Sequence, residues 1–149
     1  MNGTVRPRVL AIDYGERRVG LALSSPSHGL VGGLPTIDRR DLRGRSLETA
    51  IAALVEEHAV ERIVLGIPLQ MDGAEGETAR TVRAFGERLA AKVDVRIDTW
   101  DERLTTEAAR RRLREAGHSE RAMKSRIDQL SAVLMLESYL RRESGGSSW

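Results

Sequence analysis

The sequence contains no cysteine, a single phenylalanine and only four prolines, and aromatic residues make up 3% of it. Without cysteine there can be no disulfide framework, no thiolate nucleophile and no Cys-based zinc site. A reducing cytoplasm fits such a composition. The shortage of rings argues against a surface that grips single strands by stacking their bases. It also leaves the core to Leu, Val, Ile and Ala. Lysine is nearly missing too, appearing only at Lys92 and Lys124. No apolar run approaches the roughly 20 residues that span a bilayer, and the opening residues MNGTVRPR lack the apolar stretch of a secretion signal. A soluble, cytoplasmic protein with no membrane partner is expected.

What is present is an ordinary globular balance, 40% hydrophobic and 31% charged over 149 residues. That length suits one domain, spanning about residues 9–142, with 1–8 and 143–149 as flexible tails. The formal net charge is only +2, yet the cations are almost all arginine, whose planar fork matches phosphate. A GC-rich genome produces the same bias. Arg39, Arg40, Arg43 and Arg45 form one basic group, Arg110, Arg111, Arg112 and Arg114 a second, and Arg121, Lys124 and Arg126 a third. Each is either a phosphate contact or a solvated face.

The apolar run Val9-Leu10-Ala11-Ile12 reads as a strand buried on both faces, and it ends by placing Asp13 at the rim of a sheet. An ionised carboxylate there calls for a cation, hydrogen-bond donors or solvent. After a turn at Tyr14-Gly15-Glu16-Arg17, residues 19–24 alternate as an antiparallel partner. Residues 30–37 add a third strand, which Gly32, Gly33 and Pro35 mark as an edge. Ser46 caps a helix carrying Leu47, Ala50, Ile51, Leu54 and Val55. Ile63 to Ile67 is a second central strand, running into the turn-rich loop LQMDGAEGE.

Ala79, Val82, Phe85 and Leu89 recur at helical spacing, and Val93, Val95 and Ile97 alternate as a strand. Thr105 or Thr106 caps a further helix, and a last helix runs from about Lys124 to Arg142. Three antiparallel strands followed by two helix-linked parallel ones describe an α/β fold, the RNase H-like mixed five-stranded sheet flanked by helices. In such a sheet Asp13, the Asp72-Gly73 loop and the Asp101-Glu102 segment reach one end, and Asp128 can join them. That end is where open α/β sheets bind ligands.

The segments AIDYGERRVGLALS, VLGIPLQMDG, WDERLTTEAA and RIDQLSAVLMLESYL, in this order, resemble the YqgF/RuvX family of RNase H-like proteins, relatives of the RuvC Holliday-junction resolvases. The resemblance runs from about Val9 to Leu140. It implies a metal-dependent nuclease that matures the small-subunit ribosomal RNA precursor or, in some members, acts on branched DNA. Its acidic positions fall on Asp13, Glu102 and Asp128, implied ligands of Mg²⁺ or Mn²⁺. The resolvase relatives lead one to expect a Glu at the end of the fourth strand, where this chain has Gly66-Ile67-Pro68. Glu102 is then the substitute, with Asp101 a close competitor. Gly15, Arg103, Thr105, Thr106, Lys124 and Arg126 are the implied substrate contacts.

Hard divalent ions take oxygen ligands, and two ions about 4 Å apart can activate water and stabilise a leaving 3′ oxygen. His28, His58 and His118 lack metal-ligand spacing. Plainer readings stand beside these. Asp13 and Gly15 suit a hairpin bend; Asp128 in a first helical turn serves the helix dipole; Glu102 beside Arg103 makes an exposed ion pair. The Met71-Asp72-Gly73 loop is either a turn or a substrate contact. Asp13-x-Gly15 with Gly20 also looks like the phosphate hairpin of actin-like ATPases, but those close two domains and this chain has one. A non-catalytic RNA-binding assembly factor is a third reading. The partner is nucleic acid, precursor ribosomal RNA or branched DNA, and the chain acts as a monomer or homodimer.

Overall fold

The computed structural model describes residues 6–26, 30–104, 111, 115 and 120–146. Five strands, β1 (Val9–Asp13), β2 (Arg18–Ser24), β3 (Val31–Asp38), β4 (Arg62–Ile67) and β5 (Arg96–Asp101), form one sheet in the order β3-β2-β1-β4-β5. β2 runs antiparallel to β1 and β3, whereas β1, β4 and β5 are mutually parallel. The expected mixed, RNase H-like sheet is therefore present, with β3 as an edge. Its ladder with β2 is irregular between Val19 and Leu21.

Helices α1 (Leu47–Glu57) and α2 (Glu77–Ala90) cover one face, and α3 (Glu120–Gly146) covers the other. Alternation along the strands sorts the side chains. Leu10 and Ile12 join Ile63, Leu65, Ile51 and Phe85 in the larger core, while Val9, Ala11 and Val64 meet Ala132, Met135 and Leu136 of α3. Ser46 caps α1 by accepting the Thr49 amide at 3.1 Å, satisfying one of the donors that a helix start leaves open.

Two element boundaries differ from expectation. β5 starts at Arg96, so Val93 and Val95 pack against the core from the preceding turn. α3 begins at Glu120 and continues to Gly146, beyond the predicted stop at Arg142. Its last turns gain an anchor because Arg62 donates to Glu143 at 2.8 Å. Of the helix that Thr105 or Thr106 would cap, only Arg111 and Glu115 are among the described residues, and both are helical.

Tyr139 fastens α3 to the sheet. Its hydroxyl donates to Asp98 at 2.6 Å and accepts from Arg62 at 3.0 Å, while Arg96 donates to Asp98 at 2.9 Å. Partial burial works to raise the Asp98 pKa, but the hydrogen bonds from Tyr139 and Arg96 outweigh it and hold the carboxyl below its usual range. A depressed acid stabilises the fold above its unfolded pKa, and that contribution is lost as pH falls through the folded value. Tyr139→Phe is expected to cost about 1 kcal/mol at neutral pH and to make acid unfolding shallower; urea titrations from pH 7 downward measure both.

Gly20, which pairs with Asp13 across the hairpin, lies directly under α3. A Cβ there would overlap the backbone carbonyl of Asp128, so the absent side chain sets how closely the helix approaches. Gly20→Ala should destabilise by about 1–3 kcal/mol or more, since a rigid helix must shift. Gly32→Ala, with open space around its Cβ, should change stability by no more than about 0.5 kcal/mol. Equal denaturant midpoints for the two variants would refute the close approach.

Candidate acidic site at the carboxyl end of the sheet

β1, β4 and β5 all point their carboxyl ends to one edge, and β2 begins there because it runs the other way. Asp13 follows Val9 and Ala11 in alternation, so it shares the face that α3 covers. On β5, Asp98 and Trp100 meet Tyr139 of α3, and Glu102 opens the 3₁₀ turn Glu102–Leu104 just beyond the strand, its side chain reaching Asp13 and the space over Gly66.

The two acids come together. Asp13 as a residue is only partly buried, yet its carboxyl is crowded by protein atoms. This desolvation, a side-chain hydrogen bond with Glu102 and the charges of Glu102 and Asp128 push its pKa up to about 10. Two carboxylates in hydrogen-bond contact cannot both ionise cheaply, so Asp13 holds its proton beside Glu102. Asp101 takes the opposite parity and accepts from Arg103 at 2.6 Å; that bond, ahead of an opposing burial effect, keeps its pKa low.

Glu102 sits where the missing β4 acid leaves room. A Cβ on Gly66 would lie 2.5 Å from Glu102 Oε1, 2.7 Å from its Cγ and 2.9 Å from its Cδ. A carboxylate supplied from β5 thus fills the space over a β4 glycine. Asp128 reaches the same edge from α3 and accepts from Arg18 Nε at 3.2 Å. Because α3 starts at Glu120, Asp128 lies beyond the first helical turn, and a helix-dipole role does not explain it.

The other expected contacts are dispersed. Gly15 closes the β1–β2 turn, where a Cβ would overlap the Arg18 carbonyl. Arg103 commits its guanidinium to Asp101 and to the carbonyls of Gln70 and Met71, at 3.4 and 3.2 Å. Thr105 and Thr106 lie outside the described residues, as do the side chains of Lys124 and Arg126. Sequence reasoning missed Arg18, Gly20 and Gly66 as parts of the site. The signal available for the glycines was their position inside otherwise apolar central strands. Arg39, also at this sheet end, stacks its guanidinium 4.6 Å from the Tyr14 ring centre, and Arg17 and Arg40 both approach Asp38.

The donor chemistry suits a hard cation. Among the described residues no group of three or more His, Asp or Glu side chains already stands in a ligating arrangement, and Asp128 accepts from Arg18. Asp13 and Glu102 provide adjacent oxygen donors, and a cation would take the place of the proton that Asp13 holds; Mg²⁺ is commonly held by one or two carboxylates plus substrate phosphate.

A sheet of this order, with helices on both faces, places the chain in the RNase H-like class of α/β folds. Residues 7–142 match the family described as RuvX, Holliday junction resolvase, and the chain belongs to that family. A relative from Moorella thermoacetica, named "Putative pre-16S rRNA nuclease", is 42% identical over 135 residues, which cover 91% of this chain and 95% of the relative. One from Halalkalibacterium halodurans with the same name is 40% identical over 136 residues, covering 91% and 97%. The fold is shared with Thermus thermophilus RuvC in complex with a Holliday junction substrate, at a TM-score of 0.55 and 16% identity, covering 91% of this chain and 96% of that one. The Fowlpox virus resolvase bound to Holliday junction DNA also gives 0.55, at 8% identity and coverages of 91% and 98%.

Proposed function

We propose that the chain is a divalent-metal-dependent endonuclease that processes the 5′ end of the small-subunit ribosomal RNA precursor in the cytoplasm. The observation that carries this reading is the Asp13–Glu102 carboxyl pair beside Asp128. The names of the relatives supply the substrate. Branched DNA is the second reading, favoured by the family's description.

Asp13, Glu102 and Asp128 would hold Mg²⁺ or Mn²⁺. Such an ion, when bound, activates the attacking water and neutralises charge building on the phosphate. Asp13 and Glu102 provide fixed oxygen donors, positioned by β1 and by the space over Gly66. Arg18 holds Asp128 against the same edge and offers a cation near the phosphate path. Arg17, 58% exposed along its side chain, and Arg40, 67% exposed, add positive charge at the end where β2 begins and β3 finishes.

The test is cleavage of a precursor ribosomal RNA and of a four-way DNA junction by wild type and Glu102→Gln, with Mn²⁺ and with a chelator. Cleavage of the RNA that needs both the metal and Glu102 is the expected result. Cleavage of the junction alone would transfer the assignment to branched DNA. Binding of either substrate without cleavage under any metal would replace the nuclease with a non-catalytic assembly factor.

A further inference from the structure

Arg18 opens β2 at the sheet end that carries Asp13. Side chains alternate along a strand, so Arg18 shares a face with Gly20 and with Ala22, which packs in the core under α3. The helix backbone comes close here, since a Cβ on Gly20 would overlap the Asp128 carbonyl. That approach fixes where the Asp128 side chain starts, and Arg18 Nε donates to its Oδ2 at 3.2 Å. The charge of the same carboxylate is felt at Asp13. Asp128 therefore stands between a guanidinium that holds it and an acid pair that suits a cation, while no three acids among the described residues form a ligand group.

The bond to Arg18 is weak enough to exchange. Both side chains keep contact with solvent, 37% exposed for Arg18 and 26% for Asp128, and an ion pair of this kind shifts an equilibrium by up to about 5-fold. A guanidinium carries five donors in a planar fork that matches phosphate, and the bond to Asp128 engages one of them. A divalent cation drawn to Asp13 and Glu102 would meet like-charge repulsion from Arg18 and attraction from Asp128. Both forces act to separate the pair.

We propose that Arg18 is an exchange residue: it ties back Asp128 in the metal-free protein, and when a divalent cation takes that carboxylate the freed guanidinium takes a phosphate of the nucleic acid. Metal and nucleic acid then strengthen each other's binding, because each removes one half of the ion pair that competes with the other, and such coupling is reciprocal. Arg18 is in this sense a positioning residue, acting on the metal through Asp128. The inference rests on the metal-dependent reading above and adds the order in which the site is assembled.

The experiment titrates Mn²⁺ into full-length, metal-free protein without nucleic acid, reading free Mn²⁺ by electron paramagnetic resonance, in about 0.2 M salt to screen exposed charges. Arg18→Met should bind Mn²⁺ about 2- to 5-fold more tightly than wild type, the range of the ion pair it removes. Arg17→Met, which deletes an exposed cation at the same sheet end, should match wild type. In an Asp128→Asn background Arg18→Met should bring no gain. Arg18→Gln, which keeps a donor to Asp128 without the charge, should fall between wild type and Arg18→Met, and it carries the comparison if the urea midpoint shows Arg18→Met to be unfolded. In the second arm, Ca²⁺ should raise the affinity of wild type for a bulged RNA stem or a four-way DNA junction, both checked to be intact, and this rise should be about 2- to 5-fold smaller in Arg18→Met.

Mn²⁺ affinity in Arg18→Met equal to or weaker than wild type, a gain matched by Arg17→Met, or a gain that persists beside Asp128→Asn would each overturn the exchange and leave the metal-dependent nuclease standing. The same holds for a Ca²⁺ effect that Arg18→Met leaves unchanged. Failure of every variant to bind Mn²⁺ saturably, with and without nucleic acid, would overturn the metal-dependent reading and the exchange together.

Discussion

Asp13→Asn is expected to reduce cleavage by at least about 10²–10³-fold, the scale of losing one preorganised electrostatic group, while raising the stability of the metal-free protein at neutral pH. The two effects have one origin. In the folded chain the Asp13 carboxyl is desolvated and faces Glu102 and Asp128, which push its pKa from 3.8 up to about 10. An acid whose folded pKa is raised stabilises the fold only while protonated. Its contribution is complete below the unfolded pKa and is lost as pH rises toward the folded one. At neutral pH the group therefore opposes folding. Asparagine keeps the size and the capacity to hydrogen-bond but carries no charge.

Thermal melts of both proteins in chelator, stepped from acid to alkaline pH, should converge near pH 4 and separate above it. A gain of roughly 1–3 kcal/mol is the scale for relieving a poorly compensated buried polar group. If Asp13→Asn melts below wild type throughout, or cleaves at the wild-type rate, the carboxyl pair has been misread. Added Mn²⁺ should stabilise wild type more than the variant, as expected when a ligand binds only the folded state.

Gly66→Ala is expected to impair cleavage about 10²-fold with little change in stability, a misplacement of about 1 Å being enough for such a loss. The three nearest atoms to a Cβ on residue 66 all belong to Glu102. A flexible side chain can move aside, so the fold survives, but the carboxyl leaves Asp13. Gly20→Ala is the contrasting case, because there the overlap is with helix backbone and the cost falls on stability. Single-turnover cleavage and urea midpoints measured on the same preparations separate the two. Wild-type cleavage by Gly66→Ala would show that Glu102 does not need its present position.

The sequence by itself determined the layers of this protein. Short apolar runs ending in turn residues place β1 and β4 in the centre, and the period of Ala79, Val82, Phe85 and Leu89 defines the buried side of α2, all four being fully buried. These features are local, since hydrophobic periodicity and capping act over a few residues. Asp13 was legible for the same reason, as a carboxylate at the end of a buried run. The choice between Asp101 and Glu102 was not. Adjacent residues face opposite sides of a sheet, and only the packing of α3 against the Val9, Ala11 and Val64 side decides which side holds Asp13's neighbours.

The tertiary structure alone also decided that Gly66 leaves room for Glu102, that Gly20 admits the helix bearing Asp128, and that Arg103 braces the Met71 turn. Each depends on groups far apart in sequence: Arg18 and Asp128 are 110 positions from one another along the chain. A glycine reveals its purpose only when the atoms that fill its missing side chain are known, and those come from another strand or helix. Composition and periodicity constrain which surfaces are buried, whereas contact between surfaces is set by sheet order, register and crossing distance.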